Sequence, residues 1–320
     1  LNTLNQDENI KLQVINLKKY FAVSKTAKVH AVDDVSFDIF DGEVLGLVGE
    51  SGSGKTTIGR SILRLIEPEA GRVLYKGNDI LKYTPKEMKS LRKVGQIIFQ
   101  DPFSSLNPRM KIGDIIAEPL RIHSYGNKAA IHERVEYLVN RVGLSKDIIG
   151  SYPHELDGGR CQRVGVARAI AMSPSFVVCD EPVSALDVSV QAQVLNLLED
   201  LCEEFNLTYL FISHDLSVVR RISHRIVVLY LGKIMEMATA NELFENPLHP
   251  YTKALLSAVP TLNIDNRRER IILKGDVPTP INLGEGCRFS SRCEHCMERC
   301  TEETPKLLDR GTGHYVACHM

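Results

Sequence analysis

The run Gly49-Glu50-Ser51-Gly52-Ser53-Gly54-Lys55-Thr56 fits the spacing G-x-x-x-x-G-K followed by Ser or Thr. Glycines at that spacing let a backbone curl until several N–H groups point at one cluster of phosphate oxygens. A lysine in the seventh position reaches the β- and γ-phosphates, and the next hydroxyl is a ligand for Mg²⁺. Lys55 and Thr56 are therefore the candidates for those tasks. Gly49, Ser51, Gly52, Ser53, Gly54 and Thr57 complete the cradle. The bland alternative, a chance glycine-rich turn, requires correct flanks by accident.

A second chemical signal is Phe176-Val177-Val178-Cys179-Asp180-Glu181, a β-branched apolar run ending in two carboxylates. A buried strand delivers such residues to the carboxyl edge of an open sheet, where ligands collect. Asp180 suits water-mediated Mg²⁺ binding, and Glu181 suits polarising an attacking water as general base. His214 follows TYLFIS and can position that water against the γ-phosphate. Gln100 ends VGQIIFQ and can sense Mg²⁺ and the same water. A lone His or Gln at a strand end is ordinarily a loop residue. Three strand ends directed at one glycine loop reverse that reading.

The elements that must position these groups are legible in outline. EVLGLVG reads as a strand entering the glycine loop, and Ile58, Ile62, Leu65 and Ile66 after it keep helical spacing. Residues 11–48 read as short strands, and 72–100 as more strand-like pieces. Between 101 and 170 the character turns helical, with DIIAEPLRIH, HERVEYLVNRVG and GRCQRVGVARAIAM as amphipathic segments. Strands and helices then alternate from FVVCD through VQAQVLNLLEDLCEEF, TYLFIS, LSVVRRI and RIVVLYLGKIMEM. This pattern implies an α/β fold with a mostly parallel sheet covered on both faces. After PLHPYTKALLSAVP the pattern dissolves into a charged linker, NIDNRRERI, and a segment rich in proline, glycine and cysteine.

The chain has 320 residues, a formal net charge of −1, 43% hydrophobic and 25% charged residues, an ordinary globular composition. The near-zero charge argues against a general nucleic-acid binder. No apolar run reaches the roughly 18 to 20 residues needed to span a bilayer. The first residues are polar, without an apolar leader core. These features predict a cytosolic protein that can still sit on a membrane through a partner. Five of the eight cysteines, Cys287, Cys293, Cys296, Cys300 and Cys318, crowd the end of the chain. In a cytosolic chain such clustering points to metal ligands rather than disulfides.

Taken together, GESGSGKTT, the Gln100 loop, LDGGRCQR, FVVCDEP, SALD at 184–187 and FISHD resemble the ATP-binding subunit of ABC transporters. QDPFSSLNPR, SYPHEL, DEPVSALDVSVQAQVLNLL, LYLGKIME, HPYTKALLSAVP and the cysteine pattern resemble its oligopeptide/dipeptide branch, which also includes nickel importers. The resemblance covers nearly the whole chain.

It implies a P-loop NTPase-type nucleotide-binding domain, a mixed sheet plus antiparallel strands. The ATP-binding core would occupy 1–100 and 171–260, a helical signature subdomain 101–170, and a small Cys-rich extension 261–320. It further implies ATP and Mg²⁺ as ligands, held by the residues above, and head-to-tail pairing of two such subunits. Each ATP then lies between one chain's phosphate loop and its partner's signature helix. Two transmembrane permease subunits and an extracytoplasmic substrate-binding protein complete the machine, with this chain at the cytoplasmic face and no nucleic acid involved. The segment from Gln100 to about Arg109 is where such subunits receive the permease's coupling helix. The adenine-stacking aromatic of the family maps onto Tyr20, for which ordinary strand packing is the alternative.

One departure stands out. Family members read LSGGQ where this chain has Leu156-Asp157-Gly158-Gly159-Arg160. Asp is as good a helix N-cap as Ser, but an ionised carboxylate accepts hydrogen bonds and cannot donate them. At about 4 Å from one phosphate charge it is repelled by roughly 4 kcal/mol at an effective dielectric near 20. Arg160, one turn on, can blunt that repulsion, and Gly158 and Gly159 keep their backbone donors. Two expectations follow: a signature helix facing a site specialised for binding or regulation, or a shifted loop in which hydrolysis survives at reduced rate. Because the defect would occur twice in a homodimer, the partner is expected to be a related but distinct ATPase subunit.

The cysteine tail resembles the branch's iron–sulfur pattern, with Cys287, Cys293, Cys300 and Cys318 matching four ligands and Cys296 left over. Four thiolates suit a 4Fe–4S cluster or Zn²⁺, and His295, His314 and His319 are further donors for zinc. A tail without metal is the third alternative. Peptide import is the leading function, with nickel or another small solute as alternative cargo. The rivals are a soluble ABC ATPase acting on DNA or translation, and a regulatory module with little hydrolysis.

Overall fold

The computed structural model describes residues 9–259, 270–273, 275–311 and 313–320. The polar N-terminal stretch and most of the charged linker expected at 263–271 lie outside the described residues. In chain order the elements are β1 (Ile10–Ala22), β2 (Lys28–Phe40), β3 (Val44–Val48), α1 (Lys55–Ile62), β4 (Ala70–Tyr75), β5 (Asn78–Asp79), α2 (Pro85–Val94) and β6 (Gly95–Ile98). Then come α3 (Ile112–Ile122), α4 (Lys128–Arg141), α5 (Gly158–Ile170), β7 (Phe176–Asp180), α6 (Val188–Phe205) and β8 (Thr208–Ile212). The chain continues with α7 (Leu216–Ile222), β9 (Arg225–Tyr230), β10 (Lys233–Thr239), α8 (Ala240–Glu245), α9 (Pro250–Ser257), α10 (Glu298–Glu302), β11 (Leu308–Asp309) and β12 (Tyr315–Val316).

Two compact units divide the chain. One takes in the described residues up to Ile39, Val44–Leu81 and those from Ser213 onward. The other comprises Phe40–Glu43 and Lys82–Ile212.

In the first unit, β3 is buried at all five positions, which is why it reads as an unbroken apolar run. It pairs in parallel with β9. The sheet continues antiparallel through β10 and β12 to β11. A separate antiparallel sheet has the order β2-β1-β4-β5. The expectation of short strands over 11–48 is corrected here, since β1 and β2 each run 13 residues.

The second unit carries a parallel sheet, β6-β7-β8, with α3 to α6 around it. β7 is buried throughout, like β3. The strand-like reading of 72–100 is also corrected, because residues 85–94 form α2. Its start has a capping box: the Glu87 N–H donates to Thr84 Oγ1, and the Thr84 N–H donates to Glu87 Oε2 at 2.7 Å, with Pro85 in the first turn. Close approach of α5 to α6 explains the glycine at 159, where a Cβ would lie 2.4 Å from Val190 Cγ1.

The described part of the tail, from residue 270 onward, is not patternless. β12 joins β10, and Phe289, Val316 and Ala317 are buried. Phe289 meets Tyr230 edge-on at 5.4 Å and Tyr251 at 5.3 Å. The tail thus has an apolar anchor of its own. Beneath it, His314 Nε2 lies 2.7 Å from the buried Glu236 carboxylate.

Candidate functional site

The phosphate loop lies between β3 and α1, as the motif requires. Gly49 and Gly54 both have positive φ (153° and 103°), and a Cβ on Gly54 would sit 2.0 Å from the Ala31 carbonyl oxygen. Only glycine fits there. Gly54 caps α1 with no side-chain bond, so the helix presents its first N–H groups as an anion site. Ser53 and Lys55 are buried, and Thr56 and Thr57 are half-buried on the first turn. Ser51 and Gly52 are exposed at the tip. Lys55 Nζ turns back on its own loop, donating to the carbonyls of Gly49 at 2.8 Å and Glu50 at 3.0 Å. An ammonium held by neutral carbonyls is well placed to exchange them for phosphate oxygens.

His214 is exposed, just past β8. Its neighbour Ser213 donates its N–H to Leu47 of β3 at 3.2 Å, tying the histidine's turn to the strand that feeds the phosphate loop.

Tyr20 is half-buried on β1. Its hydroxyl donates to Asp33 Oδ1 at 2.6 Å, and its ring stacks on His30 with centroids 4.2 Å apart. Burial, then the Asp33 hydrogen bond, pushes its pKa well above the usual phenol range. Burial alone would raise the Asp33 carboxyl, but the Tyr20 hydroxyl, Lys233 and Arg288 outweigh it and hold the group ionised.

In the second unit, Asp180 closes β7 and is 1% exposed. Glu181 follows in the left-handed region, φ 49°, a conformation uncommon outside glycine and frequent at functional turns. Its N–H donates to the Ile212 carbonyl at 3.0 Å. Gln100 Nε2 donates to Glu181 Oε2 at 3.1 Å, so the two residues singled out from separate strands meet directly. β6 ends at Ile98, leaving Gln100 in the loop beyond it.

Asp157 caps α5: its Oδ1 accepts from the Arg160 N–H at 2.8 Å, and its Oδ2 lies 3.3 Å from Arg160 Nε. Both side chains are more than half exposed, so water screens the pair. They line a cleft of about 590 Å³ with Gly158, Arg163, Asp187 and Gln193. Cys161, at the start of α5, is fully buried, and burial followed by Asp157 pushes its pKa up to about 11. It is a packing residue.

Among the described residues, no group of three or more His, Cys, Asp or Glu side chains is arranged to hold a metal ion. The expected cluster ligands are nonetheless neighbours. Burial first, with Cys300, Cys318 and Cys293 adding to it, pushes the Cys287 thiol up to about 11. Cys293 is likewise raised by burial and then by Cys318, Cys296 and Cys300. Cys296 is exposed. Of the histidines offered for zinc, His314 is engaged by Glu236, and His319 Nε2 lies 2.9 Å from the Glu303 carbonyl.

Sequence reasoning missed Arg288 and Arg292. Arg288 Nη2 donates to Asp33 Oδ2 at 2.5 Å, and Arg292 Nη1 to Glu50 Oε2 at 2.8 Å. Their sequence separations are 255 and 242 residues, and no local pattern signals them.

A family model described as ABC transporter matches residues 32–184, and one described as the C-terminal region of oligopeptide/dipeptide transporters matches 235–300. The oligopeptide transport ATP-binding protein AppF of Bacillus subtilis is 50% identical, the match covering 100% of this chain and 99% of that one. A putative peptide import ATP-binding protein of Brucella ovis is 52% identical over 96% of each. Among solved structures, the dimeric bacterial ABC transporter cassette MJ0796 superposes with a TM-score of 0.66 at 27% identity. That match covers 72% of this chain and 98% of the cassette.

Proposed function

This chain belongs to the ATP-hydrolysing, ATP-binding subunits of ABC transporters, in their oligopeptide/dipeptide branch, and from that premise we propose that it drives peptide import across a membrane from the cytoplasmic face. The observation that carries the reading is the phosphate loop itself: a positive-φ glycine turn, an uncapped helix start, and a buried lysine resting on carbonyls. In this reading the loop N–H groups and Lys55 bind the triphosphate. Thr56, Asp180 and Gln100 would hold Mg²⁺, which would supply neutralisation of phosphate charge. Glu181 accepts the proton of the attacking water, Gln100 orients both, and His214 steadies the water against the γ-phosphate. Tyr20 packs on the base.

The partition expected from the family remains part of the proposal: core at 1–100 and 171–260, signature subdomain at 101–170, extension at 261–320. So do two permeases, docking on the loop after Gln100, and an extracytoplasmic substrate-binding protein. No helix among the described residues is long and apolar enough to cross a membrane. Peptide is preferred to nickel as cargo because the relatives carry peptide names. Asp157 favours a heterodimer with a sister ATPase whose site, facing this signature helix, turns over slowly. Closure of that pair on ATP and its reopening after hydrolysis would move the permeases.

For the tail, an iron–sulfur cluster on Cys287, Cys293, Cys300 and Cys318 rests on the family likeness alone: among the described residues these side chains are not arranged to hold a metal ion, and His314 and His319, offered for zinc, have other partners. Glu181→Gln in the assembled transporter tests the central reading. ATP turnover is expected to fall by roughly 10²- to 10⁴-fold, the usual worth of a general base, with ATP binding retained. Turnover within a factor of two of wild type would end it.

A further inference from the structure

The segment Cys287–Cys293 carries two arginines to two places that the nucleotide reading uses. Arg292 ion-pairs with Glu50, the second residue of the phosphate loop; their side chains are 9% and 25% exposed. The same glutamate is fixed twice more. Its backbone N–H donates to the Tyr251 hydroxyl at 3.0 Å, and its carbonyl holds Lys55 Nζ. Arg288 grips Asp33, which in turn receives the Tyr20 hydroxyl. Phe289, between the arginines, is 1% exposed and wedged on Tyr230 and Tyr251. This fixes the spacing of the two guanidinium groups.

Both arginines also leave their Nε atoms buried without a hydrogen-bond partner among the described residues. Burying a donor unpaired is costly, and the carboxylate pairs, with Arg292 Nη1 also donating to the Tyr230 hydroxyl at 3.4 Å, offset that cost. A carboxylate on the phosphate loop would by itself repel a triphosphate; a guanidinium beside it removes that charge and fixes its direction.

We propose that Arg292 is a positioning residue of the nucleotide site, neutralising and orienting Glu50, while Arg288 does the same for Asp33 and Tyr20. The tail segment 287–293 thereby sets the affinity of the phosphate loop for nucleotide. This rests on the ATP-binding reading above. It differs from a purely structural tail in one respect: the charge of Glu50 becomes a liability only when Arg292 is gone.

The experiment is titration of magnesium ATP into the full-length chain, for wild type, Arg292→Ala, Arg292→Lys and the double variant Arg292→Ala/Glu50→Gln. Limited proteolysis reports tail integrity in parallel. Arg292→Ala is expected to weaken binding about tenfold, within the range of coupling seen for contacting charges. Arg292→Lys should recover part of the loss, and adding Glu50→Gln should recover most of it. Wild-type affinity in Arg292→Ala overturns the proposal. So does a loss that Glu50→Gln fails to rescue, since a merely unseated tail gives that result. A wild-type chain that does not bind magnesium ATP overturns the nucleotide reading and this proposal with it. A binding wild type with an unaffected Arg292→Ala overturns this proposal alone.

Discussion

The phosphate loop and the signature helix both present a helix N-terminus, yet they are built differently. The loop before α1 is held from afar. Gly54 lies against the Ala31 carbonyl, Glu50 is held by Tyr251 and Arg292, and the Gly232 N–H donates to the Ser53 carbonyl. The start of α5 is held by its own turn, where Asp157 caps the Arg160 N–H and pairs with the Arg160 side chain in solvent. A site determined by distant buried partners tolerates little change, because any alteration propagates to groups that cannot re-solvate. A site capped locally and exposed can exchange serine for aspartate without cost to the fold.

The contrast has a pH signature. His249 caps α9, accepting from the Tyr251 N–H at 3.0 Å, and Tyr251 in turn holds Glu50. Burial pushes the His249 imidazole from 6.5 down to about 4. The folded state therefore keeps it neutral while the unfolded chain protonates. Its contribution is fully present above pH 6.5 and is lost as pH falls from 6.5 toward 4. The loss is on the order of 3 kcal/mol by linkage. Melting temperature and magnesium ATP affinity should both decline over that window. His249→Asn, which keeps a capping oxygen, should flatten the stability profile. An unchanged pH profile in that variant would erase this part of the contrast.

A smaller effect is expected at the signature helix. Asp157→Ser should leave the melting temperature within about 1 °C, because both residues cap equally well. It should raise ATP turnover of the assembled transporter by about three- to tenfold, as a repelling acceptor becomes a donor. No gain in turnover would favour a loop in which Arg160 already compensates.

What was legible in the sequence follows the same division. The strand–glycine loop–helix unit was readable because its determinants are consecutive residues, and β7 ending at Asp180 because a buried strand is one apolar run. The pairing of Gln100 with Glu181 was anticipated only as a shared destination. α2 was missed although Thr84-Pro85-Lys86-Glu87 spells its capping box; the apolar spacing of Met88 and Leu91 was too sparse to register beside the following strand. The anchoring of the tail was not legible at all. Its parts are two-residue strands, β11 and β12, one buried phenylalanine, and ion pairs to Asp33 and Glu50 from more than 240 residues away. Nothing periodic marks such contacts.

The account stands on nucleotide being held by the loop at 49–56. Calorimetric titration of magnesium ATP into the purified chain and into Lys55→Ala tests this most directly. Saturable one-site binding to the wild type, weakened by about tenfold or more in the variant through loss of charge-assisted hydrogen bonds, is the predicted result. Equal binding to both proteins, or none to the wild type, would contradict it.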